Sequence, residues 1–147
     1  MSQVFKGRVI VGGNLKGEAL VSRKGFNTLA SFQKSIVTRS KKARCSDQDN
    51  KDIFGKEISR KILCLPQTIG STTGGLVILT AARMGVEPAA MLFSKQIDSL
   101  AAAGIVMTDI WLNKKITCVD SLGDQFLDAV QMGQQVEITE DGQVRID

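Results

Sequence analysis

The chain has 147 residues, 43% of them apolar, and a formal net charge of +4, which suits one compact domain (1–147) with a buried core. It contains no histidine and no tyrosine, which removes the commonest general base, the Ser-His and Cys-His nucleophile pairs and the usual zinc ligand. No apolar run approaches the roughly 18–20 residues needed to cross a bilayer, so neither a membrane partner nor a membrane-spanning segment is expected.

The opening Met1-Ser2-Gln3-Val4-Phe5 enters an extended pattern directly, without a leader-like apolar stretch. Phe5 to Ile10 alternates in part and reads as a strand. Gly12-Gly13-Asn14 breaks it, and Gly17 to Val21 resumes an extended run. Gly25 to Phe32 has turn and strand character. Gln33 to Ile53 reads as a long polar loop holding a short strand at Ser35-Ile36-Val37-Thr38, and loops of that length are often functional. Within it Lys34, Arg39, Lys41, Lys42 and Arg44 crowd together, with Asp47, Asp49 and Asp52 close behind. A solvated loop of compensating charge accounts for them. So would a surface for an acidic partner or anionic substrate, or a non-catalytic binding module built on residues 34–44. Only Phe32 and Phe54 flank the cluster, short of the interleaved aromatics of a nucleic-acid site, so no nucleic-acid partner is expected.

Ile58 to Leu65 returns to strand, Pro66 to Gly75 is a turn, and Thr72 to Met84 reads as a mostly apolar helix stopped by Gly85. Pro88 to Phe93 is a buried strand. Ile97 to Ala103 is a short helix with Gly104 as its left-handed stop; Ile105–Met107 and Ile116–Val119 are further short strands. Gln135–Thr139, the Glu140-Asp141-Gly142 turn and Gln143–Ile146 form a hairpin. Many short strands and a few modest helices predict a mixed α/β domain, barrel-like or layered, with short helices covering the sheet. Cys64 and Cys118 sit in apolar strand contexts and, with Cys45, read as free thiols in a reducing cytoplasm. Their wide spacing matches no local cluster-ligand pattern, and no glycine-rich nucleotide motif follows a strand.

Chemistry concentrates in Leu63-Cys64-Leu65-Pro66-Gln67-Thr68-Ile69-Gly70-Ser71-Thr72-Thr73-Gly74-Gly75. This segment sets hydroxyls and unpaired amides at a helix start, whose partial positive charge receives a carboxylate or phosphate. Ser71 reads in two ways: as a helix N-cap, or as a hydroxyl whose alkoxide is stabilised by neighbouring amides and serves as a general base. Gly70 beside it favours close approach of another group. Thr72 and Thr73 are placed to bond a substrate carboxylate or to satisfy the helix start. Asn27, Ser31 and Asn14 lie in glycine-flanked loops and read either as pocket residues or as turn formers. Asp109 reads as an ordinary strand-end carboxylate or else a general acid, and Trp111 as a partly buried anchor, with an interface as its alternative setting. A stand-alone hydrolase with Ser71 as nucleophile has no nameable base.

The order of these segments resembles the small subunit of aconitase X, the swivelling β/β/α domain of the aconitase superfamily. Gly17-Glu18-Ala19-Leu20-Val21, Lys61 to Pro66 with Gly70-Ser71-Thr72-Thr73, and Gly104-Ile105-Val106 with Asp109-Ile110 carry the resemblance, which runs over most of the chain. It implies a dehydratase subunit active only with a large subunit, which holds an iron–sulfur cluster. It also implies that a Gly-Ser loop delivers the proton-removing serine: Ser71 as catalytic residue, with Gly70, Thr72, Thr73 and Asn27 toward the substrate and no metal ligand in this chain. Classical aconitases have an arginine soon after that serine; Thr72-Thr73-Gly74-Gly75 stands here instead. Archaeal members resembling phosphomevalonate dehydratase carry a Ser-Phe-x-Gly-Gly-Val-Asp pattern after the first strands, where this chain reads Gly25-Phe26-Asn27-Thr28-Leu29-Ala30-Ser31-Phe32-Gln33. That departure implies the bacterial type, a dehydratase of cis-3-hydroxy-L-proline giving Δ1-pyrroline-2-carboxylate, with Phe26 and Asn27 shaping the pocket. A phosphomevalonate dehydratase small subunit is the alternative.

Overall fold

The computed structural model describes residues 2–147. In chain order the elements are β1 (Gln3–Lys6), β2 (Arg8–Val11), β3 (Leu15–Val21), β4 (Phe26–Asn27), α1 (Thr28–Val37), β5 (Ile62–Leu65), β6 (Thr68–Ile69), α2 (Gly74–Arg83), β7 (Ala90–Phe93), α3 (Ser99–Leu112), β8 (Thr117–Asp120), α4 (Asp124–Ala129), β9 (Gln135–Ile138) and β10 (Gln143–Ile146).

Eight strands form one sheet in the order β1-β10-β9-β3-β5-β7-β8-β2. Its centre, β3-β5-β7-β8, is parallel, joined by crossovers through α1, α2 and α3. Every residue of β5, β7 and β8 is buried, which is why these strands read as unbroken apolar runs: both of their faces are covered. The flanks are antiparallel, β3-β9-β10-β1 on one side and β8-β2 on the other. The two edge strands, β1 and β2, are separated in sequence by Gly7 alone. Its N–H donates to Gly142 O at 3.2 Å, and a Cβ there would stand 2.3 Å from Asp120 O. One glycine therefore carries the chain from one edge of the sheet to the other and curls it into a nearly closed barrel.

The core divides across the parallel strands. On the helix side Leu20, Phe26, Leu63, Leu65 and Phe93 pack against Phe32 of α1 and Ile105 of α3. The opposite face packs Val21, Ile62, Leu92, Phe126, Val136 and Val144, with Phe5 edge-on to Phe126 at 5.5 Å. Among the described residues, no helix is long and apolar enough to cross a membrane.

The mixed α/β fold and the hairpin stand as expected; several elements do not. The Phe5–Ile10 strand is two strands broken at Gly7, and the one expected from Ile58 is regular only over Ile62–Leu65. Residues 28–37, expected as loop and short strand, are helix α1. Asn27 caps it, its Oδ1 accepting from Ala30 N at 3.1 Å, and Leu29, Phe32 and Ile36 supply the i, i+3, i+7 apolar face. Gly104 does not stop a helix, and Ile105–Met107 is not a strand. Helix α3 runs through both to Leu112, ending at Asn113 in the left-handed region (φ 52°). Asp109 and Trp111 accordingly lie on a helix, and Trp111 is exposed rather than partly buried. Helix α4, with Gly123 at its start, is a further element beyond those the sequence predicts.

Candidate functional site

Two loops leave the C-terminal ends of the neighbouring parallel strands β3 and β5, where open α/β sheets place their ligands. The ribbon β4–β6 ties them together, Phe26 opposite Thr68 and Asn27 opposite Ile69. Gly70 follows with φ +98°, and a Cβ on it would lie 2.6 Å from Asn27 Oδ1. Both the backbone angle and the contact demand glycine. Asn27 is thereby accounted for: it caps α1 and backs the Gly70 turn, and it does not line the groove.

That groove encloses about 230 Å³. Thr28 opens α1 on its wall, Gly74 opens α2, Leu100 and Ala101 belong to the first turn of α3, and Gly70, Ser71, Thr68 and Asp98 complete it. Three helices thus direct their N-terminal ends, with their partial positive charge, at one small space.

Ser71 is exposed at its mouth. Its Oγ accepts the Thr73 N–H at 3.1 Å and shares a hydrogen bond with Thr73 Oγ1 at 2.8 Å. The residue at the N-cap position of α2 is Thr73, and it makes no side-chain capping bond. Ser71 stands two residues before that position: its Oγ takes the Thr73 N–H and its C=O the Gly74 N–H at 3.1 Å, so it closes the turn that leads into α2 while its side chain stays exposed. Thr72 is exposed beside it and Thr73 orients it.

Asp98 was not singled out from the sequence, although an acid directly before an apolar helix is an N-cap signature. One carboxylate oxygen accepts from Ala101 N at 2.9 Å and the other from the Thr68 hydroxyl, fastening the β6 loop to the start of α3. Thr28 was also missed. It sat in a segment read as turn, and nothing but the tertiary fold brings it to Gly74. Next to Asp98 in sequence, Ile97 donates its N–H (2.8 Å) to Asp120, which is fully buried and takes two further hydrogen bonds from Arg8 (3.0 and 2.7 Å). Burial pushes its carboxyl up, but the Arg8 guanidinium and the Ile97 amide outweigh that and hold it below the usual carboxylate range.

The other sequence candidates lie elsewhere. Asn14 accepts from Glu140 N at 2.9 Å near the hairpin turn. Ser31 and Phe26 are buried within the core under α1. Lys34, Lys42 and Arg44 line a separate cavity of about 460 Å³ beside Phe54, with Lys42 paired to Glu57 at 3.6 Å.

The cysteines do not suit an iron–sulfur cluster. Cys45 and Cys118 are buried on the helix side of the sheet and Cys64 on the other. Burial pushes the Cys64 and Cys118 thiols well up, away from the thiolate a cluster needs. Among the described residues, no three His, Cys, Asp or Glu side chains gather as a metal site.

A curled α/β sheet that gathers helix starts around one serine is the architecture of a swivel domain of the aconitase type. The chain belongs to the aconitase X swivel domain family, which matches residues 4–146, and is the small subunit of an aconitase X-type dehydratase. It is 31% identical over 137 residues to the phosphomevalonate dehydratase small subunit of Archaeoglobus fulgidus, covering 93% of this chain and 92% of that one. The protein of the same name from Pyrococcus furiosus is 31% identical over 145 residues, covering 97% and 94%. The crystal structure of Thermococcus kodakaraensis aconitase X in its holo-form superposes with a TM-score of 0.82 at 29% identity, covering 99% of this chain and 98% of that one.

Proposed function

We propose that this chain closes over the active site of a hydro-lyase whose large subunit holds an iron–sulfur cluster, and that Ser71 is the general base of the water elimination. The observation that carries this is the exposed Ser71 hydroxyl at the meeting of three helix starts. Its Oγ would take the proton from the carbon beside the departing hydroxyl. The C–H electron pair then forms the double bond as the C–O bond breaks; the oxygen leaves as hydroxide with the C–O pair, for which the cluster of the large subunit would supply Lewis-acid stabilisation. A serine alkoxide is unfavourable near neutrality, and the Thr73 N–H, the Thr73 hydroxyl and the α2 N-terminus supply donors and positive potential against that cost. Gly70, Thr72 and Thr73 form the turn that presents the hydroxyl; Asn27 shapes it from behind.

A large partner is supported by α3. A helix apolar on all sides is ordinarily buried, yet Leu100, Ala103, Ile110 and Trp111 are exposed along one side of it, and Met107 is half-buried between them. Ile110 and Trp111 are each 69% exposed. The stripe starts at Leu100, on the wall of the Ser71 groove, so a subunit completing the site would cover both. Three free, buried thiols suit a reducing compartment, the cytoplasm.

For substrate, the relatives named phosphomevalonate dehydratase small subunit favour a phosphorylated hydroxy acid of the mevalonate type. The cis-3-hydroxy-L-proline reading rests only on the departure at Gly25–Gln33. Assaying the chain alone, and reconstituted with the large subunit, on 5-phosphomevalonate and on cis-3-hydroxy-L-proline tests this. Water elimination by the complex alone, from 5-phosphomevalonate, is the expected result; elimination from hydroxyproline would reverse the substrate assignment, and activity of the isolated chain would overturn the subunit reading.

A further inference from the structure

We infer that the Thr28 hydroxyl is a substrate-binding group, donating to a carboxylate seated where α1 and α2 begin. This rests on the reading of Ser71 as the base of the same groove.

Thr28 is only 2% exposed, and among the described residues its Oγ1 has no hydrogen-bond partner. A buried hydroxyl without a partner destabilises a fold, and valine, of nearly the same shape, would occupy the place without that penalty. The residue nonetheless stands on the groove wall, as the first residue of α1. A Cβ built on Gly74 would meet Thr28 Cβ at 3.6 Å and Oγ1 at 3.7 Å, so the hydroxyl lies against the first residue of α2. Two helix starts, each with leading amides that have no partner inside the helix, flank it. A donor without an acceptor between two positive helix ends calls for an anion.

Asp98 on the same wall opposes an anion; its oxygens are turned to Thr68 and Ala101 N, and the helix-start amides and the Thr28 hydroxyl are the groups that offset its charge. Among the described residues, no lysine or arginine lines this groove, so hydroxyl and backbone donors take the place of the arginine that follows the serine in classical aconitases. A hydroxy acid whose carboxylate reaches Thr28 keeps its reacting carbon near the Ser71 mouth of the same 230 Å³ space.

The test is steady-state kinetics of the reconstituted small–large complex carrying Thr28→Val or Thr28→Ser. The substrate is whichever of 5-phosphomevalonate and cis-3-hydroxy-L-proline the wild-type complex dehydrates, and thermal unfolding of each small subunit is followed alongside. Thr28→Val should raise KM about tenfold, the loss of one hydrogen bond to a charged group, with kcat within about twofold of wild type. Its unfolding midpoint should be equal to or above wild type, and Thr28→Ser should restore KM. An unchanged KM in Thr28→Val, or a raised KM that serine does not restore, overturns the inference. Should Thr28→Val fail to assemble, Thr28→Ala carries the same KM expectation. A Ser71→Ala complex that keeps its activity while Thr28→Val raises KM would overturn the base and leave the subsite standing; the opposite pair of results would do the reverse.

Discussion

Gly75 of α2 and Gly104 of α3 touch backbone to backbone. A Cβ on Gly75 would stand 2.3 Å from Leu100 O, and one on Gly104 would stand 2.4 Å from Gly75 O. Both residues are buried, and any side chain at either position must drive the helices apart. The contact lies within the first two turns of both helices, and so it sets how closely their N-terminal ends approach across the Ser71 groove.

Gly104→Ala is therefore expected to destabilise the isolated chain by roughly 1–3 kcal/mol, the usual cost of overpacking a close contact. That corresponds to a fall in Tm of roughly 2–4 °C for each kcal/mol at this chain size. Thermal unfolding checks it. In the complex the same variant should lower turnover, because it widens the groove.

This glycine also shows why the sequence was only partly legible. Glycine late in a short apolar run is ordinarily a helix stop, and Ile105-Val106-Met107 after it has strand composition; only the neighbouring helix, far away in sequence, explains a glycine inside α3. Helix α1 was hidden for a related reason. Its inward face carries Thr28, Ser31 and Ser35 as well as Phe32, so the apolar period is diluted by small hydroxyl residues that a close-packed face admits. By contrast the buried strands, the closing hairpin and the Gly70-Ser71 turn announce themselves locally. Ser71 stands out as a candidate in the sequence because a glycine and three hydroxyls crowd one helix start. Thr28 and Asp98 were not, because the parallel strands bring their segments to it through the fold.

Asp120 should govern the acid side of the stability profile. Its folded carboxyl lies below the usual range, whereas in the unfolded chain it titrates near about 3.9. The stabilisation is thus fully present above that value and is lost as pH falls through the folded one. Asp120→Asn should lower stability at neutral pH by roughly 1.5–3 kcal/mol, the worth of hydrogen bonds to a charged group. It should also flatten the loss of stability below about pH 4. Denaturant unfolding across pH, wild type against variant, measures both.

The exposed stripe on α3 predicts an assembly phenotype without a folding one. Trp111→Ser combined with Ile110→Ser removes two side chains that are each 69% exposed. The Tm of the isolated chain should stay within about 2 °C of wild type, as for surface changes generally. Affinity for the large subunit should fall by at least tenfold, as when a buried aromatic anchor is truncated at an interface. Titration calorimetry of small into large subunit measures the loss; unchanged affinity would place the interface elsewhere.

The most direct measurement is turnover by a complex in which Ser71 is replaced by alanine. The Ser71 hydroxyl bonds only within its own turn, so the Ser71→Ala small subunit should fold and bind the large subunit as wild type does. Its kcat should fall by roughly 10²–10⁴-fold, the contribution of a positioned base. A normally assembled Ser71→Ala complex with wild-type kcat would contradict the account.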